Sequence, residues 1–189
     1  MSQLSIGIKA PDFELYGVDG QSYRLGHALD ESPVVLAFYK SACPVSQFTL
    51  PYLQRIYAHA ERDERSECKP DAKRERDSAK HQVRAQPSRK ATGFKMWGVS
   101  QDDESETRAF AKRYGIEFNL VIDEYPYPVS TAYGLEFVPG IFIVHPGGLI
   151  TLSHSGFHKS ELEEIATLAG RPPLQLFERG DGIPDHRPG

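Results

Sequence analysis

The clearest signal in the chain is an uninterrupted apolar run, Pro33-Val34-Val35-Leu36-Ala37-Phe38-Tyr39, followed by apolar residues recurring every three or four positions at Val45, Phe48, Leu50, Leu53, Ile56 and Tyr57. A continuous run of strand length, rich in β-branched and aromatic residues, predicts a strand covered on both faces. The three-and-four spacing predicts an amphipathic helix turned toward a core. Upstream, Ala10-Pro11-Asp12-Phe13-Glu14-Leu15, a Gly17-Val18-Asp19-Gly20 turn and residues 21–25 predict a small hairpin. Downstream, a strand over 94–100 leads to a helix that starts at Asp102 or Asp103, runs through Phe110 to Tyr114 and stops at Gly115. A strand over 119–123 and a short helix around 129–133 come next, then a strand over 141–144 joined by His145-Pro146-Gly147-Gly148 to a partner over 149–155. Ser160 and Glu163 have capping-box spacing ahead of Leu162, Ile165, Ala166 and Leu168, which predicts a last amphipathic helix. Crossover units ending in an antiparallel hairpin require an α/β fold with a mixed central sheet and helices on both faces.

The periodicity stops between about residues 61 and 92. Ten Lys or Arg stand there against seven Asp or Glu, and large apolar residues almost vanish. The segment is net +3 in a chain of net charge -4, which leaves -7 on the remainder. Such composition predicts a solvated surface insert, partly helical or disordered, with a docking surface for an acidic partner as the alternative. The 189 residues suit one core. The expected organisation is a domain over 1–170 interrupted by the insert at about 61–92, with an extended tail over 171–189 rich in Pro and Gly.

Composition narrows the function classes. Hydrophobic residues at 39% and charged residues at 25% are ordinary globular values. The start, MSQLSIGIKAPDF, lacks a cationic opening followed by an apolar run, and nowhere are eighteen apolar residues consecutive. Neither a secretory signal nor a membrane span is expected, and the cytoplasm is the expected location. The modest net charge and the lack of aromatic–basic alternation argue against nucleic acid and membrane partners. There is no Gly-rich phosphate loop and no histidine spacing suited to a metal, so no cofactor is expected. His154 and His158 flank a Ser-Gly turn and are expected to be exposed. Phe94, Met96 and Trp97 are expected in the core, as are the residues Tyr125 to Pro128 unless they line the approach to Cys43.

Two cysteines, Cys43 and Cys68, are too few for a disulfide framework, and a reducing compartment keeps them as thiols. Any redox role is therefore reactive rather than structural. Cys43 sits where a buried strand hands over to a helix. A thiol attacks as the thiolate, and the unsatisfied N–H groups and dipole of a helix N-terminus favour that anion. Pro44 suits the first helical position, where no N–H is needed. The alternative is a buried, inert cysteine acting as a small hydrophobe.

The segment Phe38-Tyr39-Lys40-Ser41-Ala42-Cys43-Pro44-Val45-Ser46, with Gly7-Ile8-Lys9-Ala10-Pro11-Asp12-Phe13 upstream and Val138-Pro139 downstream, resembles the redoxin superfamily. This is the alkyl hydroperoxide reductase/thiol-specific antioxidant group, and the closer likeness is to its thioredoxin-like thiol–disulfide oxidoreductase branch. The resemblance implies a thioredoxin fold, a mixed central sheet flanked by helices with an N-terminal hairpin extension. It also implies that Cys43 is the attacking thiol and that Pro139, after Val138, is a cis-proline whose loop faces it.

Two departures shape the expected chemistry. Dithiol members carry a second Cys where this chain has Ser46, so the site attacks but does not release by itself. Peroxidase members carry a Thr where this chain has Lys40 and an Arg where it has Pro139, so efficient peroxide reduction is not expected. Lys40 either stabilises a thiolate or is solvated; Ser46 could donate a hydrogen bond to the sulfur; Cys68 is either a resolving thiol or an incidental surface cysteine. The implied function is a peroxiredoxin-like thiol oxidoreductase of antioxidant type that attacks a disulfide, or less well a peroxide. Its redox partner is a thiol or disulfide protein or glutathione, and a homodimer is open. The alternative is a binding module that keeps the fold without turnover.

Overall fold

The computed structural model describes residues 2–67, 93–170 and 174–189. In chain order the elements are β1 (Glu14–Tyr16), β2 (Ser22–Arg24), α1 (Leu25–Leu29), β3 (Val34–Tyr39), α2 (Pro44–Glu67), β4 (Lys95–Ser100), α3 (Glu104–Tyr114), β5 (Asn119–Ile122), α4 (Pro128–Ala132), β6 (Gly140–Val144), β7 (Ile150–Ser155), β8 (Phe157–His158), α5 (Lys159–Ala166) and β9 (His186–Arg187). Five strands form a mixed sheet in the order β5-β4-β3-β6-β7, while β1 and β2 make the separate N-terminal hairpin. β3, β4 and β5 run parallel, and β6 is antiparallel to β3 and β7.

The uninterrupted apolar run becomes β3 because it lies at the centre of the sheet with all six residues buried. Its side chains alternate between two cores. Val35, Ala37 and Tyr39 meet Leu50, Leu53 and Ile56 of α2, Phe110 of α3, and Leu162 and Ile165 of α5. Val34, Leu36 and Phe38 meet Leu25, Ala28 and Leu29 of α1, with Val129 of α4 and Tyr133 just beyond it. A strand with only one covered face would show polar residues at every second position; this one shows none. Phe94, Met96 and Trp97 are buried as their sequence suggests.

Local signals set most element ends. At the start of α3 the Asp103 side chain accepts from the Glu106 N–H at 2.8 Å, and Gly115 closes the helix in the left-handed region at φ 64°. The capping box expected from Ser160 and Glu163 does not form. α5 begins at Lys159, one residue before Ser160, and the Ser160 hydroxyl donates to the Glu161 carboxylate instead. Helix α2 continues to Glu67, so the first part of the charged stretch at 61–92 extends that helix. The rest of the stretch, Cys68 included, lies outside the described residues.

Residues 174–189 are irregular over most of their length but packed against the body. Leu176 and Phe177 are buried, and Phe177 stacks near Tyr52 and Phe157. Lys159 holds the segment from the other side: its ammonium meets Asp181 at 2.8 Å and its N–H donates to the Asp185 carbonyl. β9 then pairs antiparallel with β8. Among the described residues no helix is long and apolar enough to cross a membrane.

Candidate functional site

The site is a product of strand register. β3 and β6 are antiparallel with Phe38 opposite Gly140, so the residues leading into β6 come alongside the loop leaving β3. That brings Val138 and Pro139 beside Cys43, although 95 residues separate Cys43 from Val138. The Val138–Pro139 bond is cis.

Cys43 immediately precedes α2, and its carbonyl accepts the first bond of the helix, from the Gln47 N–H at 3.0 Å. The turn that delivers it is closed by the Cys43 N–H donating to the Lys40 carbonyl at 3.0 Å. Two further bonds hold the turn. The Ser41 N–H donates to Asp102 Oδ2 at 2.5 Å, and Gln47 Nε2 donates to the Ser41 carbonyl at 2.8 Å. In the sequence Asp102 shows only as a possible helix start, and Gln47 carries no signal of its own. Nothing in the sequence pairs Asp102 with Ser41, 61 residues away.

Two contacts surround the sulfur. Cys43 Sγ lies 3.2 Å from the Val138 carbonyl, to which the thiol donates, and the Ser46 backbone N–H points at Sγ from 3.5 Å. The carbonyl is an acceptor and engages the protonated thiol. The amide is a donor and, with the helix N-terminus behind it, suits the anion that must form for attack. Cys43 is half-buried, so the sulfur is neither sealed off nor fully in solvent.

The remaining sequence candidates occupy distinct positions. Ser46 does reach the sulfur, but through its amide; its hydroxyl is buried with no hydrogen-bond partner. Lys40 is exposed at the end of β3, Pro44 is exposed at the first position of α2, Val138 is half-buried and Pro139 buried. Tyr125 is not in the core: it is 84% exposed, after β5 and before a second cis-prolyl bond at Pro126. The histidines also differ from expectation. Both ring nitrogens of His154 are closed off from solvent without partners, and His158 is half-buried. Among the described residues no group of His, Cys, Asp and Glu could hold a metal ion.

Sheet order, the sulfur before α2 and the cis-prolyl loop facing it define a thioredoxin-like class of protein. The family model that matches is Redoxin, over residues 6–168, and the chain belongs to the redoxin family. Two curated relatives carry the name thiol-disulfide oxidoreductase ResA. That of Halalkalibacterium halodurans is 23% identical over 159 residues, covering 84% of this chain and 73% of the relative. That of Geobacillus thermodenitrificans is 23% identical over 148 residues, covering 78% and 67%. Among solved structures, the chain is similar to a thiol:disulfide interchange protein from Bacteroides sp., with a TM-score of 0.63, 20% identity and coverage of 89% and 93%. It is likewise similar to peroxidoxin BcpB from Mycobacterium tuberculosis, with a TM-score of 0.61, 18% identity and coverage of 89% and 97%. These likenesses establish the thioredoxin fold.

Proposed function

We propose that this chain is a thiol–disulfide oxidoreductase with one attacking thiol. The Cys43 thiolate attacks one sulfur of a disulfide, the substrate S–S bond breaks, and a Cys43 mixed disulfide forms as the other sulfur leaves as a thiolate. Because Ser46 stands where a second thiol would resolve this intermediate, release comes from outside. A second thiol, glutathione or a protein cysteine, attacks the mixed disulfide, takes the bound sulfur into a new disulfide and returns Cys43 to its starting state. The observation that carries this reading is the sulfur at the start of α2, 3.2 Å from the carbonyl of the cis-prolyl loop. The names of the two curated relatives support it.

A disulfide suits the site better than a peroxide. Lys40 is exposed and presents no hydroxyl where peroxidase members carry Thr, and Pro139 is buried where their Arg would come. Two cysteines in 189 residues also favour a reducing compartment, the cytoplasm in this reading, where small thiols are at hand for release.

Intact-mass analysis after mild treatment with oxidised glutathione tests the proposal. One glutathione adduct is expected, mapped to Cys43 and absent from Cys43→Ser. An adduct confined to Cys68 would overturn the site assignment, and a Cys43 that takes no adduct would favour the binding module without turnover.

A further inference from the structure

The end of the described chain returns to the sulfur. In the β8–β9 pair Arg187 lies opposite Phe157 and His186 opposite His158. Just beyond, the backbone passes the cis-prolyl loop so closely that a side chain at Gly189 would come within 2.9 Å of the Val138 carbonyl oxygen. That oxygen is the one to which Cys43 Sγ donates. Gly156, at φ 84°, donates its N–H to the Pro139 carbonyl at 2.7 Å, and a side chain there would collide with the Arg187 carbonyl at 2.3 Å. Two glycines therefore let residues 187–189 lie against the loop that holds the sulfur, as one wall of its surroundings.

That wall carries a cation. The Arg187 guanidinium carbon sits 4.0 Å from the centre of the Phe48 ring. Phe48 is five residues after Cys43, roughly 7.5 Å along the helix axis, and a helical side chain leans back toward the N-terminus. The ring and the guanidinium on it thus lie toward the sulfur end of α2, about 140° round the helix axis from Cys43. Stacking occupies the face of a guanidinium and leaves its in-plane N–H donors, the pair that fits a carboxylate, for another group. Arg24 and Arg108 meet Asp12 and Glu104, whereas none of the ion pairs formed among the described residues includes Arg187, which is exposed.

We propose that Arg187 is a substrate-binding residue: its guanidinium takes a carboxylate of the disulfide that Cys43 attacks, so carboxylate-bearing disulfides are the preferred substrate class. This rests on Cys43 being the attacking thiol. The bond changes are those of the exchange above, and Arg187 neither gives nor takes a proton; it holds the incoming molecule with one sulfur toward Cys43.

The test compares second-order rate constants of the full chain for oxidised glutathione, which carries carboxylates, and bis(2-hydroxyethyl) disulfide, which is neutral. Arg187→Gln is expected to slow reaction with oxidised glutathione about 5-fold at low salt, the range of one stacked and partly exposed charge pair. The neutral disulfide should change by less than about twofold, Arg187→Lys should restore part of the loss, and added salt should shrink it. An equal loss with both disulfides, no loss with either, or a gain with both would overturn the assignment, the last by making the tail a shield over the sulfur. If the unaltered protein reacts with neither disulfide, the reading of Cys43 fails first and this inference with it.

Discussion

The sulfur end of the sheet and the histidine seam along β7, β8 and β9 both gather side chains capable of chemistry, and they differ in what those side chains touch. At the sulfur end, Cys43 faces a donor and an acceptor, and the turn that carries it is held by Asp102 and Gln47. At the seam, the rings of His154 and His158 lie 5.2 Å apart and those of His158 and His186 4.2 Å apart. There the polar contact is His158 Nδ1 with Glu161 at 3.5 Å, while the nitrogens of His154 have no partner. A reactive group becomes a site when backbone groups fix it and solvent still reaches it. His154, packed ring to ring without hydrogen-bond partners, serves as bulk, and its titration becomes a liability of the fold.

That contrast can be broken most sharply at the sulfur. Cys43→Ser should lower disulfide exchange by on the order of 10³-fold or more while leaving the melting temperature nearly unchanged, because removing a nucleophile costs far more rate than stability. Residual exchange near the original rate would move the chemistry to Cys68.

The seam gives the next largest effect, in stability rather than rate. Burial pushes the His154 imidazole down to about 4 from 6.5, with Glu161 opposing the shift and His158 adding to it. Between those values the unfolded chain takes up a proton that the folded chain refuses, so stability is complete above about pH 6.5 and falls with acid toward pH 4. At about 1.4 kcal/mol per unit the loss has an upper limit between about 3 and 4 kcal/mol. Urea unfolding at pH 7 and at pH 5 should show it, and His154→Phe, which places an apolar ring where the imidazole has no partners, should flatten the dependence. An equally steep fall in the variant would assign the acid sensitivity elsewhere.

Smaller effects sharpen the account of the active turn. Asp102→Ala removes the acceptor of the Ser41 N–H in a buried place, worth about 1–2 kcal/mol, and should slow exchange about 10-fold, whereas Asp102→Asn keeps an oxygen there and should lose less. Alkylation of Cys43 by iodoacetamide provides the measurement. Lys40→Ala should change the same rate by less than about twofold, since its side chain is exposed and solvent screens its charge. A tenfold loss there would restore the role in holding a thiolate.

Much of the framework was legible in residue order alone. The apolar run gave the central strand because a strand covered on both faces favours apolar residues at successive positions, and Pro44 after Cys43 placed the sulfur at a helix start because proline is tolerated there. Gly115 marked the end of α3 and the Asp102-Asp103 pair its start for equally local reasons, with the structure selecting Asp103 as the cap. The Ser160–Glu163 spacing misled because the backbone enters α5 one residue before Ser160, a choice made by packing and the β8–β9 pair rather than by hydrogen bonding within one turn. Likewise, the Tyr-Pro stretch looked apolar enough for the core, yet Tyr125 lies exposed with its ring edge-on to that of Tyr127.

What the order of residues determined by itself, then, was which residues are strand, helix and candidate nucleophile, since periodicity and helix-end chemistry act over a few positions. Only the tertiary structure decided what surrounds the nucleophile. Val138 and Asp102 reach Cys43 and its turn through strand register and a loop crossing, and a two-residue strand near the far end of the chain sets Arg187 on the ring of Phe48. Contacts of that kind arise from how whole elements pack, and no short window of sequence contains both partners.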